Sequence, residues 1–217
     1  MTSEKTIPGL WAGQWLHGLC LIPLLVATYF IWIYLGAPFP LAFWIAVAVP
    51  IVHQVFVWLA WRFELSTSST SRTIGFKGYI AGFFLLFSGR FVSLFLLAWL
   101  DCGSLHMPGV LQIGLTGVMT LLGVYTMYSV MRYFGPARAS GADHFDARYR
   151  DMPLVKEGIF RYTSNGMYIY AFLLFWAIAL GFASSAALAV AAFSHAYIWV
   201  HFYATEKPDM EFLYGSR

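Results

Sequence analysis

The stretch that decides the fold lies near the C-terminal end, where residues 167–205 read MYIYAFLLFWAIALGFASSAALAVAAFSHAYIWVHFYAT. It contains no Asp, Glu, Lys or Arg, and a helix needs about 20 apolar residues to cross a bilayer core. We divide it into Met167–Phe182 and Ala186–Thr205, which only Ala183–Ser185 separates. A gap this short predicts a tight helical hairpin. The first segment is marginal for a full crossing, because its helix would be only about 24 Å long.

Four more apolar stretches precede the hairpin: Leu16–Leu35, Leu41–Trp61, Gly78–Leu100 and Val110–Tyr133. Of the 217 residues, 60% are hydrophobic and only 11% are charged, which is too few charges to cover a surface that faces water. This composition excludes a soluble globular domain and a disordered chain. We therefore predict an all-α polytopic membrane bundle of about six spans. It forms a single membrane domain over residues 1–217, with spans one to three in 1–109. Residues 110–217 hold span four, a polar loop at 134–166, the hairpin and the tail.

The basic residues predict how the bundle is oriented. The first, third and hairpin loops contain no Lys or Arg, whereas the other loops and both tails carry Lys5, Arg62, Arg72, Lys77, Arg132, Arg138, Arg148, Arg150, Lys156, Arg161, Lys207 and Arg217. By the positive-inside rule, both termini are cytoplasmic. The long loop 134–166 and the tail 206–217 then share the cytoplasmic face. A connector of this length is unusual, so we predict the active site there.

The long loop carries a motif, Leu154-Val-Lys-Glu-Gly-Ile-Phe-Arg-Tyr-Thr-Ser-Asn-Gly-Met-Tyr168. It resembles the signature of the isoprenylcysteine carboxyl methyltransferase and phospholipid methyltransferase superfamily. The matching positions are Leu154, Val155, Gly158, Arg161, Tyr162, Met167 and Tyr168, with Phe160 in place of the family's aromatic residue. Ser164-Asn165-Gly166 replaces the usual Arg-His-Pro. Asn165-Gly-Met-Tyr168 is closer to the Asn-Pro-Met-Tyr of eukaryotic phosphatidylethanolamine methyltransferases.

The C-terminal tail is similar to the second motif of that family. Glu206, Met210, Tyr214 and Gly215 fit it, and Lys207 replaces the second Glu of the motif. Phe134-Gly135 and His144 add to the resemblance, which covers about residues 117–217. The resemblance implies methyl transfer from S-adenosylmethionine, bound on the cytoplasmic face between loop and tail. The acceptor would be a lipid or lipophilic small molecule that enters from the bilayer. Asn165 favours a phospholipid amine over a prenyl-cysteine carboxylate.

Aromatic faces and carboxylates suit a cationic sulfonium, and methyl transfer requires close alignment of donor and acceptor. Phe160, Tyr162, Tyr168 and Glu206 supply both kinds of group. Together with the resemblance, this predicts that the cofactor-binding residues are His144, Leu154, Val155, Gly158, Phe160, Tyr162, Asn165, Tyr168, His201 and Glu206. Asn165 is also positioned to cap the fifth helix. Simpler interpretations remain, since Glu206 or His201 at a membrane interface can face water or head groups, and His144 can be a solvated loop residue.

The predicted catalytic residues are Arg90, His195 and Glu206. Arg90 lies near the middle of span three, and no Asp or Glu lies within any span to pair with it. An intramembrane charge is a functional candidate, so Arg90 would hold a carboxylate or phosphate unless backbone carbonyls satisfy it. Methylation of an amine needs a base, for which His195 or His201 is suitable. We interpret His53, in span two, as a packing residue.

Two other functions stay open: a membrane reductase of the sterol-reductase type that uses NADPH, or a transporter. The halves of the chain show no mirrored broken helices, which argues against a transporter. No run of Lys or Arg indicates a nucleic-acid partner. No CxxC or Cys/His spacing predicts a metal site. The oligomeric state is left open.

Overall fold

The computed structural model describes residues 6–215, and every regular element in that range is a helix. Two residues of the orientation argument, Lys5 and Arg217, lie outside the described residues. The α-helices, in chain order, are α1 (Gln14–Tyr34), α2 (Pro40–Thr67), α3 (Ser69–Thr73), α4 (Gly75–Leu100), α5 (Gly109–Ser129), α6 (Pro136–Ala139), α7 (Ala147–Arg150), α8 (Leu173–Gly181), α9 (Ser185–His201) and α10 (Lys207–Tyr214). Two 3₁₀ turns and three π turns complete the chain: Ala142–His144 and Gly158–Arg161, then Val130–Phe134, Met167–Ala171 and Phe202–Glu206.

Within residues 6–215, five helical segments are long and apolar enough to cross a membrane: Gln14–Tyr34, Pro40–Thr67, Gly75–Leu100, Gly109–Phe134 and Ser185–Tyr214. The segment predicted to be marginal, Met167–Gly181, is a shorter apolar helix. The all-helical membrane bundle is thus confirmed, with five long helices and one short one.

The second long helix extends beyond its predicted end at Trp61. The helix α2 continues to Thr67, so Arg62 is a helical residue and not a loop residue. It stops where Ser68 adopts a left-handed conformation with φ 54°. The Glu64 carboxylate closes this corner, because it accepts bonds of 2.8 Å from the Ser71 backbone and from the Ser71 hydroxyl.

The helix α9 forms the centre of the bundle and packs against α1, α2, α4 and α8. Small residues such as Ala186, Ala187 and Ala191 are fully buried, which lets neighbouring backbones approach closely. The helix α5 lies to one side and packs on α8, whereas α4 packs on α2, α8 and α9. The outer faces of the long helices expose many large apolar side chains, as expected of surfaces in contact with lipid.

The loops divide between the two ends of the bundle. At one end, the hairpin turn binds the third loop, since Gly103 N donates to Phe182 O at 3.0 Å and Leu105 N donates to Ala183 O at 2.7 Å. At the other end, the Gln14 amide donates to Thr205 Oγ1 at 3.1 Å. The long loop and the tail also meet at this second end.

At the hairpin end, the Asp101 carboxylate holds the chain together by accepting three hydrogen bonds. Its Oδ2 accepts bonds of 2.7 Å from the hydroxyls of Ser104 and Ser184, and of 2.9 Å from Ala186 N. The last bond satisfies a free N–H in the first turn of α9. One buried carboxylate therefore joins the end of α4 to the start of α9.

We expect Asp101→Ala to lower the free energy of unfolding by about 1.5–3 kcal/mol, because it removes bonds to a charged acceptor and leaves buried donors unpaired. Thermal unfolding of the purified protein in detergent, followed by circular dichroism, measures the loss. The control is Asp151→Ala, since Asp151 is exposed and should change stability by less than about 0.5 kcal/mol. Similar losses in both variants would contradict the role given to Asp101.

Candidate active site

A cavity of about 200 Å³ lies toward the loop end of the bundle, bounded by α2, α4, the end of α5, the long loop and the start of the tail. Its wall is mainly aromatic and aliphatic, with Phe83, Phe87 and Met127 among its members. The polar and charged residues that line it are His53, Gln54, Arg90, Arg138, Asp143, His144, Tyr168, His201 and Glu206. A mostly apolar pocket with a few convergent polar groups is the usual form of a ligand site.

All three π turns contribute to this cavity. Residues of Val130–Phe134 and Met167–Ala171 line it, and Glu206 ends the third turn. The backbone N–H of Lys207 donates to Phe202 O, a bond that spans five residues where an α-helix spans four. The wider turn brings His201 and Glu206 to the same cavity, and single π turns of this kind are frequent at functional sites.

Glu206 and Tyr168 connect the two sequence motifs directly. The Tyr168 hydroxyl donates to Glu206 Oε2 in a short hydrogen bond. The Tyr168 ring also packs against Trp199 and Phe202, with centroid distances of 5.7 and 5.4 Å. Tyr168 therefore holds a carboxylate at the junction of the loop, the hairpin and the tail.

A second charged group, Asp209, lies behind the cavity with a side chain that is 0% exposed. Its Oδ1 is 2.8 Å from Arg62 Nε, and its Oδ2 is 3.4 Å from His144 Nε2. Asp143 Oδ1 is 3.0 Å from the other ring nitrogen of His144, and Asp143 Oδ2 accepts a 2.8 Å bond from the Tyr214 hydroxyl. This chain of charges joins α2, the long loop and α10.

Trp61 and two carboxylates hold the His144 side chain in place. Its ring stacks on Trp61, with 4.0 Å between centroids and an interplanar angle of 16°. Gly141 makes room for the indole, because a Cβ there would lie 2.3 Å from Trp61 Cζ2. Tyr79 accepts a 2.8 Å bond from Trp61 Nε1 and donates to the carbonyl of Ser140. The loop is therefore fixed to α2 and α4.

Burial alone would lower the pKa of His144, but the hydrogen bonds and charges of Asp143 and Asp209 outweigh it and raise the pKa to about 9. For Asp143, burial favours a higher pKa, yet the hydrogen bond and charge of His144 and the hydrogen bond from Tyr214 lower it. His144 is therefore a cation near neutral pH, held between two carboxylates.

The predicted site residues fall into two groups. Arg90, His144, Tyr168, His201 and Glu206 line the cavity, but Leu154, Val155, Gly158, Phe160, Tyr162, Asn165 and His195 do not. His195 lies on α9 and faces α8, where its Nδ1 accepts a 3.1 Å bond from Trp176 Nε1 and its ring stacks on Phe172.

The first part of the loop motif supports the cavity from outside. Gly158 has φ 58°, and the next residue, Ile159, donates its N–H to Ser129 Oγ at 3.1 Å. Phe160 stacks at 5.2 Å on Phe134, which does line the cavity.

The rest of the motif lies farther from the cavity. Leu154 and Tyr162 are 62% and 74% exposed, and Val155 is half-buried. The side chain of Asn165 makes no capping bond; its backbone carbonyl accepts from the N–H groups of Tyr168 and Ile169 at 3.0 Å.

Sequence reasoning missed four residues of this region. His53, interpreted above as a packing residue, lines the cavity. Asp143, which lines the cavity, and Asp209 and Arg62, which lie behind it, carry the charge network. Arg62 and Asp209 are far apart in the chain, so no local pattern pairs them. For His53, the only available signal was its position in an apolar span, where a polar group is costly unless it is satisfied.

Residues 111–217 match the family model described as phospholipid methyltransferase. The matched region contains both motifs, all three π turns, and Tyr168, His201 and Glu206. It excludes His53 and Arg90, which come from α2 and α4. No curated protein and no solved structure matches the chain.

The raised pKa of His144 predicts how stability depends on pH. A group whose pKa is raised on folding stabilises the protein below its unfolded pKa of about 6.5, and loses that effect as pH rises through about 9. We therefore expect the free energy of unfolding to fall between pH 6.5 and pH 10, and to fall by up to about 3 kcal/mol more in the native protein than in His144→Gln. Thermal unfolding at the two pH values measures the difference.

The matched control for this test is His106→Gln, because His106 is exposed in the hairpin-end loop. That variant should keep the pH dependence of the native protein. A His144→Gln variant that loses stability over the same pH window as the native protein would contradict the assignment.

Proposed function

Because residues 111–217 match the phospholipid methyltransferase family model, we propose that this integral membrane protein transfers a methyl group from S-adenosylmethionine to a lipid or lipophilic small-molecule acceptor. The observation that carries the proposal is the Tyr168–Glu206 hydrogen bond. It joins the two motifs of the matched region in the wall of the mainly apolar cavity described above.

The residues around this bond fit the cofactor. S-Adenosylmethionine would supply an electrophilic methyl group on a cationic sulfur. Glu206 offers a carboxylate for its positive charge or its hydroxyl groups, and Arg138 brings a cation suited to its carboxylate. His201 is 2% exposed, and its Nδ1 has no hydrogen-bond partner within residues 6–215, so a polar ligand atom would satisfy it.

The protein's part in the reaction is alignment and proton handling. Direct displacement at a methyl group depends on holding the two reactants in line at near-contact distance. An amine acceptor must be neutral to react, so a base has to lie nearby. Of the two predicted bases, we favour His201, which lines the cavity, over His195, whose Nδ1 is occupied by Trp176.

A membrane acceptor fits the shape of the cavity. Phe84 and Met131 both line it and are 36% and 60% exposed, so it reaches the outer surface of the bundle between α4 and the π turn at the end of α5. Such an opening in a spanning region faces lipid chains. We propose that the acceptor enters there. The amine of a phospholipid is favoured over a prenyl-cysteine carboxylate, on the resemblance of Asn165-Gly-Met-Tyr168.

We propose that the loop end of the bundle, with the cavity, is cytoplasmic, because the loops and tails rich in Lys and Arg lie there. Reporter fusions after Lys77, after Gly141 and at the C-terminus should then all report cytoplasm, and a fusion after His106 should report the opposite side. Opposite locations for the Gly141 and C-terminal fusions would disprove the arrangement.

Glu206→Gln should weaken binding of S-adenosylhomocysteine by about 1.5–3 kcal/mol, the range for a hydrogen bond to a charged group. The substitution keeps the shape of the side chain and removes its charge. Isothermal titration of the detergent-purified protein measures the affinity.

The matched control is Glu211→Gln, an exposed position on the same tail, which should leave the affinity unchanged. Equal losses in both variants would mean that Glu206 is not at the cofactor site. Thermal stabilisation of the native protein by NADPH, with none by S-adenosylhomocysteine, would favour the reductase instead.

A further inference from the structure

The inner part of the cavity holds two polar side chains with nitrogen atoms that lack a hydrogen-bond partner in the described structure. Arg90 is 4% exposed and His53 is 2% exposed, and both line the cavity. Within residues 6–215, Nε and Nη2 of Arg90 and both ring nitrogens of His53 lack hydrogen-bond partners. Leaving such groups unsatisfied in a low-dielectric interior is costly, so these atoms point to a ligand.

Two phenylalanines fix the plane of the Arg90 guanidinium. Its Cζ lies 5.0 Å from the ring centroid of Phe172 and 5.3 Å from that of Phe175. These cation–π contacts engage the faces of the group, whereas Nε and Nη2 on its edge are buried and have no hydrogen-bond partner within residues 6–215. Arg148 uses the same two atoms to bind Asp146 elsewhere in the chain: Nε and Nη2 donate to Oδ2 at 2.9 and 2.6 Å, and Nε also donates to Oδ1 at 3.2 Å. This edge of a guanidinium suits the two oxygens of a carboxylate or phosphate.

The acidic groups of the cavity are already engaged. Glu206 accepts from Tyr168, and Asp143 bonds to His144 and Tyr214. The other buried arginine, Arg62, has its own carboxylate in Asp209, at 2.8 Å. Within the described chain, Arg90 forms no such ion pair, and the second group, His53, can add one neutral N–H donor.

We infer that Arg90 and His53 form an oxyanion subsite that holds a phosphate or carboxylate group of the acceptor. That this ligand is the acceptor rests on the function proposed above; the binding of an oxyanion does not. Phe172 lies about one helical turn beyond Tyr168, so the anion binds about one turn deeper than Glu206. The acceptor therefore carries its acidic group a few bonds from the atom that is methylated, and its apolar chain leaves between α4 and α5.

This inference assigns acceptor selection to the half of the chain outside the family match. His53 belongs to α2 and Arg90 to α4, and these two helices pack along each other. Tyr168, His201 and Glu206 all belong to residues 111–217.

The test uses the full chain in a non-ionic detergent and three single-chain probes: dodecyl phosphate, dodecanoate and the neutral dodecanol. Tryptophan fluorescence titration gives each dissociation constant. We expect the native protein to bind at least one anionic probe roughly tenfold or more tightly than dodecanol. The tighter of the two anions identifies phosphate or carboxylate as the natural group.

Arg90→Gln should weaken binding of that anion by roughly tenfold or more, and His53→Gln by several-fold. Arg90→Lys keeps the charge but loses the fork, and should fall between the native protein and Arg90→Gln. Binding of S-adenosylhomocysteine should persist in all three variants. The control is Arg132→Gln, which removes an exposed charge outside the cavity and should bind the anion as the native protein does.

Equal affinity of the native protein for all three probes would overturn the inference. Unchanged anion affinity in both Arg90→Gln and His53→Gln would also overturn it. If Arg90→Gln does not fold, His53→Gln and Arg90→Lys decide the question by the same criterion. Failure of the native protein to bind S-adenosylhomocysteine would contradict the methyltransferase proposal, but anion binding lost on substitution of Arg90 and His53 would still support the subsite.

Discussion

The fully buried carboxylate of Asp209 is the group on which the rest of the site depends. It lies between the guanidinium of Arg62 and the imidazole of His144. Arg62 also donates to the carbonyls of Gly9 and Ala12, so the segment before α1, the helix α2, the long loop and the tail all converge on one charge. Removing one partner of a buried ion pair typically costs about 3–5 kcal/mol, because the other charge is left uncompensated. We therefore expect the loss of either charge to displace the loop and the tail that form part of the cavity wall.

The two halves of the chain contribute different residues to the cavity. The half that matches the phospholipid methyltransferase family supplies Glu206, Tyr168 and His201. The N-terminal helices supply His53 and Arg90, whose nitrogen atoms without hydrogen-bond partners would suit an anion. We propose that the C-terminal half binds the methyl donor and that the N-terminal helices select the molecule that receives the methyl group. Relatives with other acceptors would then differ chiefly in the helices outside the family match.

Much of this could be predicted from the sequence, because its signals are local. The uncharged run at 167–205 predicts the hairpin, and the two motifs on either side of it predict that Tyr168 and Glu206 meet. The π turns are different, since nothing in the composition of Phe202–Glu206 separates a five-residue turn from an α-helical one. The charge of Arg62 predicts the end of span two, but Arg62 is buried within α2 because its ion pair with Asp209 offsets the cost of removing the charge from water. Pairs so distant in the chain cannot be read from periodicity.

Methyl transfer to a membrane acceptor can be measured as product formation. The purified protein is incubated with S-adenosylmethionine labelled in its methyl group and with a total lipid extract, and the lipid products are separated by chromatography. The account predicts a labelled, chloroform-soluble product that the native protein and Glu211→Gln form and that Glu206→Gln forms at a far lower rate. A native protein that binds S-adenosylhomocysteine yet labels no lipid or lipophilic product would contradict methyl transfer to a membrane acceptor. Equal rates for Glu206→Gln and the native protein would contradict the role given to the Glu206 carboxylate.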